Sequence, residues 1–308
     1  MRMINRPIRK RQTLRLSEST QGVLFALPWF IGSAIFLIGP MLASLFMSFT
    51  DWDIVRQPEW IGVSNYARMF LQDNLFWKSL GVTTLYAALS VPLELIVAML
   101  LALLLNRKIR GVGLYRTIYY LPSILSGVAV ALLWMWIFNP EFGLLNHVLG
   151  WFGIPPLQWL YDSKWVIPSF AIMRLWSVGG GMIIYLAGLQ GIPTELYEAA
   201  EIDGAGAMHK FLRVTLPMMS PIILYNLVLG IINSMQSFAN AYIMTDGGPN
   251  NASLFYVLYL YRNAFQYFRM GYASSLAWVL FLYILLLTLL IFRKSEAWVY
   301  YEGSLRGR

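Results

Sequence analysis

The chain contains no cysteine, only two histidines and few charges, with 12% of its 308 residues being Asp, Glu, Lys or Arg. The absence of cysteine excludes disulfide bonds and thiol catalysis and leaves the compartment open. His147 and His209 stand alone, with no metal-ligand spacing and no nucleophile motif beside them, which argues against an enzyme. No phosphate loop of the GxxxxGK[ST] type is present, so any nucleotide hydrolysis is expected on another chain. What fills the space left by charge is apolar: 58% of residues are hydrophobic, and mean hydropathy is +0.58. These residues come in long blocks, which no soluble core requires, so the composition describes an all-α polytopic membrane protein. The formal charge of +8 arises from bases at the ends of apolar blocks. Membrane topology accounts for them without a nucleic-acid partner.

A bilayer-crossing helix needs about 20 mostly apolar residues. That rule marks six spans, at 23–49, 80–105, 118–138, 165–189, 222–244 and 272–292. Gly39-Pro40 interrupts the first, which is read as one kinked span because proline is tolerated inside membrane helices. The basic start (Arg2, Arg6, Arg9, Lys10, Arg11, Arg15) precedes an apolar run too long for a signal peptide, so the first span is expected to be retained. Connections on one side carry sixteen bases against six on the other, with Arg174 inside a span. The positive-inside rule then predicts both termini in the cytoplasm. The predicted organisation is a basic N-terminus (1–22), one membrane domain (23–292) and a cytoplasmic tail (293–308). Trp52, Trp60, Trp77, Trp151, Trp159 and Trp165 fall in or beside the outer connections, as interfacial aromatic belts do. The outer connection at 139–164 is rich in Gly and Pro and reads as a compact cap.

One segment, 190–219, is polar and lies between two apolar blocks on the predicted cytoplasmic side. Pro193-Thr194 offers a helix start, and the acids Glu195, Glu198 and Glu201 follow in its first turns. Leu196, Ala199, Ala200 and Ile202 form an apolar stripe opposite the acids. Asp203-Gly204-Ala205-Gly206 then ends the helix, since glycine readily takes a left-handed cap. A second helix at 208–215 is expected beside it at the membrane surface. From these residues alone, an amphipathic connector and a docking element are equal readings.

Glu198-Ala199-Ala200, Gly204, Val214 and Leu216-Pro217 resemble the EAA---G---------I-LP signature of binding-protein-dependent ABC importer permeases, with valine in place of isoleucine. Phe49-Thr50-Asp51-Trp52, Trp60-Ile61-Gly62 and Asn65-Tyr66 resemble the carbohydrate-importer permeases of the maltose and glycerol-phosphate type. Arg116-Thr117 with Tyr120-Leu121-Pro122, Trp134 to Asn139, Ala187 to Gln190 with Ile192-Pro193, and Thr245 to Pro249 extend that resemblance along the chain. It implies a type I ABC importer permease in a bacterial cytoplasmic (inner) membrane, paired with a second, similar permease subunit. It further implies an extracytoplasmic solute-binding protein that delivers a carbohydrate. A cytoplasmic ATPase dimer would hold ATP and Mg, with no cofactor on this chain. Glu195, Glu198 and Asp203 would face the ATPase, Ala199, Ala200 and Gly204 would permit close approach, and Leu216-Pro217 would direct the return into the membrane.

A sugar path combines amides, hydroxyls and aromatic faces. In the fifth span Asn226, Asn233, Ser237 and Asn240 follow at spacings that one helical face can hold. The resemblance points there to Gly230, Asn233, Ser234 and Ser237 as sugar-lining positions. The fourth span adds Ser177, Gly179, Gly180 and Gly181, suited either to helix packing or to a ligand. Trp134 and Trp136 are either sugar-stacking or belt residues. Arg174 and Glu94 are ionisable groups inside spans. Arg174 would either attract an anionic substrate, or snorkel to the outer surface or pair with an acid, and Glu94 would accept hydrogen bonds within the bundle. The competing reading is an ion-coupled secondary transporter, which needs more intramembrane acids or histidines than Glu94 supplies.

Overall fold

The computed structural model describes residues 17–107 and 110–300, an almost entirely helical chain. The predicted basic residues of 1–16, Lys108 and the end of the tail lie outside them. Helix α1 (Gly22–Ser48) forms one long apolar passage, as expected for the first span. A π-turn at Ala34–Ile38 precedes Gly39-Pro40, where proline has no N–H to donate and its ring crowds the preceding turn. The second half of α1 packs on the last long helix, and its most apolar stretch buries nothing within the described residues. A two-residue antiparallel ladder, β1 (Thr50–Asp51) with β2 (Glu59–Trp60), follows in register Thr50↔Trp60.

After α2 (Ser64–Leu71) comes the central helix α3 (Asn74–Leu105). Its 32 residues give about 48 Å at 1.5 Å per residue, more than a bilayer core needs. Asp73 caps it: Oδ1 accepts from the backbone N–H of Leu75 (2.9 Å) and Phe76 (3.0 Å). The other oxygen of Asp73 accepts from the hydroxyls of Tyr259 and Tyr272, tying the N-terminal end of α3 to distant parts of the chain.

The predicted third span is not one helix. α4 (Val112–Ile124) and α5 (Gly127–Ile137) meet at 100°. Pro122 stands in the closing 3₁₀ turn, and Leu125 and Ser126 take extended ψ values of 149° and 132°. The apolar stretch at 118–138 is therefore broken into two helices and is not one continuous helix. Beyond α6 (Leu144–Trp151), the predicted fourth span is likewise bent, by 47°, between α7 (Val166–Leu175) and α8 (Gly179–Gln190). Gly179 shows why that bend carries glycine. A Cβ there would lie 2.3 Å from the Tyr119 carbonyl oxygen and 2.6 Å from Tyr120 Cα, so only glycine lets α8 cross the end of α4.

Next come α9 (Thr194–Ile202) and α10 (Leu216–Met235). The expected separate surface helix at 208–215 is absorbed into the fifth passage. Ala207–Lys210 runs through a π-turn at Phe211–Thr215 straight into α10, so the passage extends over Ala207–Met244. The widened turn stands just before Pro217, where an α-helical hydrogen bond is impossible. Then follow α11 (Ala239–Met244), α12 (Tyr256–Tyr261) and α13 (Met270–Ser295).

Helices α7, α8 and α10 all pack on α3. The core is in two parts: an aromatic cluster including Phe76, Tyr86, Phe138, Phe170 and Phe255, and an aliphatic one including Ala98, Met99, Met182, Tyr185 and Met219. Glu94 and Arg174 lie in sequence where the first cluster gives way to the second, after Tyr86–Ala87 and Met173, and before Ala98 and Val178.

Candidate functional site

At that junction Arg174 Nε donates to Glu94 Oε2 at 2.6 Å, joining α7 to α3. Arg174 Nη2 also donates to the Gly230 carbonyl of α10 at 3.3 Å, and its guanidinium lies 6.0 Å from the Tyr86 ring centroid. An isolated charge in hydrocarbon is costly, and each partner removes that cost from the other. Arg174 thus has an acidic partner within the bundle. Gly230 makes the three-helix junction possible: a Cβ there would lie 3.0 Å from Val91 Cγ1, so its absence brings the α10 backbone close to α3.

A cavity of about 150 Å³ opens beside the pair, lined by Glu94, Tyr185, Asn226 and Asn233 with Gly181 and Gly230 between them. The Tyr185 hydroxyl is buried without a hydrogen-bond partner among the described residues. Asn226 Nδ2 donates to Ile222 O at 2.9 Å. Its Oδ1 lies beside Gly181, where a Cβ would stand 3.6 Å away. The glycine run thus divides: Gly179 admits α4, Gly181 narrows the gap to α3 and α10, and Gly180 faces open space.

The fifth-span face holds only in part. α10 ends at Met235, so Ser237 lies in the break and Asn240 on α11, away from the helical face expected to carry them. Gln236 and Ser237 close the helix through bonds to Ile232 O and Ser234 O, which stops the regular spacing. Ser234 is fully buried and donates to Ile231 O at 2.9 Å. Arg174, Gly230 and Asn233 gather at the cavity or its adjoining pair, while Ser177 sits in the α7–α8 bend. Trp134 is buried against Trp176, at 6.1 Å between centroids, and is a core residue. Tyr185 escaped the sequence reading, because a lone tyrosine in an apolar helix carries no signal of its neighbours.

The polar segment has a different geometry. The N–H of Ala205 donates to Ala200 O at 2.8 Å and that of Gly204 to Glu201 O at 3.0 Å. With Gly204 at φ +78°, these two bonds make a Schellman cap on α9. Tyr197 turns inward and shares a 2.9 Å hydroxyl hydrogen bond with Thr215. Lys210 pairs with Glu201. Glu195, Glu198, Ala199 and Asp203 are exposed, Ala200 is half-buried, and Leu216 and Pro217 open α10. The apolar stripe is open to its surroundings at Ile202, which is 87% exposed, and Met208 further along the segment is 70% exposed. Tyr197, outside that stripe, is the side chain that anchors the helix. The outward face is therefore mixed, apolar and acidic, and His209 lies exposed within the same segment. Among the described residues no group of His, Asp or Glu is arranged to hold a metal ion.

Known proteins share this arrangement. The family described as "Binding-protein-dependent transport system inner membrane component" matches residues 94–294. The probable ABC transporter permease protein YesP of Bacillus subtilis (strain 168) is 41% identical over 301 residues, 96% of this chain and 97% of that protein. The lactose transport system permease protein LacF of Rhizobium radiobacter is 34% identical over 295 residues, 93% and 97% of the two chains. Among solved structures, that of a bacterial ABC transporter involved in the import of the acidic polysaccharide alginate superposes with a TM-score of 0.79 at 28% identity. It covers 91% of this chain and 96% of its own. The ion-coupled alternative finds no support in these relatives. By the family match over most of its length, the chain belongs to the inner-membrane components of binding-protein-dependent ABC transport systems, as a multi-pass permease subunit.

Proposed function

We propose that this chain is one membrane subunit of an ATP-driven importer that carries a carbohydrate inward from an extracytoplasmic binding protein. The family and the relatives named for lactose and alginate support the substrate class. The observation that carries the coupling half is α9: a short, capped helix between two membrane passages, exposing Glu198, Ala199 and Asp203 beside Ile202. A cytoplasmic ATPase dimer, on separate chains and holding ATP and Mg, docks on this face. Glu195, Glu198 and Asp203 supply its polar contacts, Ala199, Ala200 and Gly204 let the surfaces meet, and Leu216-Pro217 transmit the movement into α10.

A second, similar permease completes the path and covers apolar faces such as the most apolar stretch of α1, which buries nothing among the described residues. Closure of the ATPase dimer moves the docked helices and rocks the spans between inward- and outward-facing states. The termini lie in the cytoplasm and the protein sits in the bacterial inner membrane. Substrate passes the Glu94–Tyr185–Asn226–Asn233 cavity, where amides and a free hydroxyl can replace its water. The test is ATPase stimulation of the reconstituted complex by its own binding protein, loaded in turn with a panel of sugars. Stimulation by at least one loaded sugar above the unloaded protein is expected. A flat response across neutral and acidic sugars overturns the reading.

A further inference from the structure

The connection between α5 and α7 encloses a second cavity, of about 660 Å³, at the opposite end of the α7–α8 passage from α9. Its frame is rigid. Asn146 Nδ2 donates to Pro140 O (3.1 Å) and Leu157 O (2.9 Å). Its Oδ1 accepts from Leu157 N (3.1 Å) and Trp159 Nε1 (2.9 Å). All four bonds open to this amide are used in stapling the two edges of the loop together. Asn139 Oδ1 holds the rim by accepting from the N–H groups of Glu141 and Phe142 at 2.9 and 3.1 Å. A Cβ on Gly143 would lie 2.3 Å from Asn139 O, so the turn admits only glycine.

The frame presents side chains that the fold does not use. Glu141, His147 and Gln158 line the cavity. Their side chains make no hydrogen bond or ion pair among the described residues. Two large rings stand open beside them, Phe142 at 61% and Trp151 at 73% exposure. His147 holds the Trp151 ring edge to face, with centroids 5.5 Å apart. An aromatic plate with a carboxylate, an imidazole and an amide around it matches a pyranose, whose C–H face stacks while its hydroxyls hydrogen-bond. No lysine or arginine lines the cavity, and its one formal charge is Glu141. A phosphate or a uronate therefore has no counter-charge there.

We infer that this cleft is a holding site for a neutral sugar residue at the outer mouth, separate from the cavity beside Glu94. The sugar stacks on Trp151, and Glu141, His147 and Gln158 bind its hydroxyls. The inference rests on the carbohydrate reading above.

It is tested on the assembled transporter in lipid nanodiscs without binding protein, by saturation-transfer NMR with maltotriose, cellotriose and trigalacturonate. At least one neutral trisaccharide is expected to receive saturation at its ring protons. Trp151→Ala is expected to weaken its binding about tenfold, and Trp151→Phe to keep most of it. Trigalacturonate is expected to bind more weakly than the better neutral sugar, and Glu141→Gln to narrow that gap. Wild-type binding in Trp151→Ala, equal binding of trigalacturonate, or no transfer to either neutral sugar overturns the proposal. The last result would leave Trp151 a membrane-belt residue. The same preparation is assayed for ATPase stimulation by sugar-loaded binding protein. Retained stimulation with no direct binding sinks the cleft alone, whereas loss of both sinks the carbohydrate reading.

Discussion

Between Glu195 and Asp203 the chain places four acids, and only Glu201 finds a cation, Lys210, among the described residues. Glu94 and Arg174, by contrast, are bound to each other at 2.6 Å inside an apolar bundle. The difference is one of solvent. In water an unpaired carboxylate keeps its hydration and is free to meet a partner chain, and surface pairing adds little. In the bilayer core a lone charge has no such shell, so it is paired or removed. The α9 segment is thus built from local rules, cap and turn. The mid-bundle pair exists only because α3, α7 and α10 converge.

The sharpest way to break this contrast is Glu198→Lys. The change should leave insertion and yield intact, because Glu198 is exposed and unpaired. It should reduce ATP-driven uptake by about two orders of magnitude through loss of a charged contact with the ATPase. Normal uptake in reconstituted vesicles would remove α9 from the coupling route. Arg174→Ala and Glu94→Ala should behave in the opposite sense. Each strands a charge and should destabilise the protein by about 3–5 kcal/mol, read as a lowered melting temperature in detergent. The double alanine variant should recover most of that loss. If both singles melt like wild type, the pair is not structural, and an acidic sugar transported by wild type but not by Arg174→Ala would point to anion binding instead.

Smaller effects separate backbone from charge. Gly179→Ala should cost about 1–3 kcal/mol, because its Cβ meets the Tyr119 carbonyl and not a movable side chain. A neutral result in the same melting assay would mean that α4 and α8 cross less tightly. Gly204→Ala should cost about 1 kcal/mol from the left-handed backbone at φ +78°. It meets no atom within 4 Å, so any loss of coupling beyond that reports the shape of α9 as seen by the ATPase.

Legibility in the sequence followed the range of the interaction. The long apolar spans α1, α3 and α13 were readable because hydropathy over about 20 residues is a local property. The stop of α9 at Gly204 was readable for the same reason, since a Schellman cap involves only six successive residues. The 100° turn at Leu125-Ser126 was hidden, because both flanks are apolar and Pro122 alone is compatible with a kink or a break. The outward exposure of Ile202 was hidden too. Its orientation depends on Tyr197 reaching Thr215, eighteen positions away.

By its sequence alone the chain was legible as a membrane protein resembling importer permeases, with its charges gathered at the ends of apolar blocks and one polar segment between two of them. Composition and short motifs suffice there, because solvent preference acts on each residue separately. Tertiary structure decided that Arg174 answers Glu94, that Gly179 and Gly230 admit neighbouring helices, and that Asn146 staples the cleft between α5 and α7. The ion pair spans 80 positions, the glycine contacts join separate helices, and even the Asn146 staple crosses up to 13 positions, so no short motif contains the distances between them.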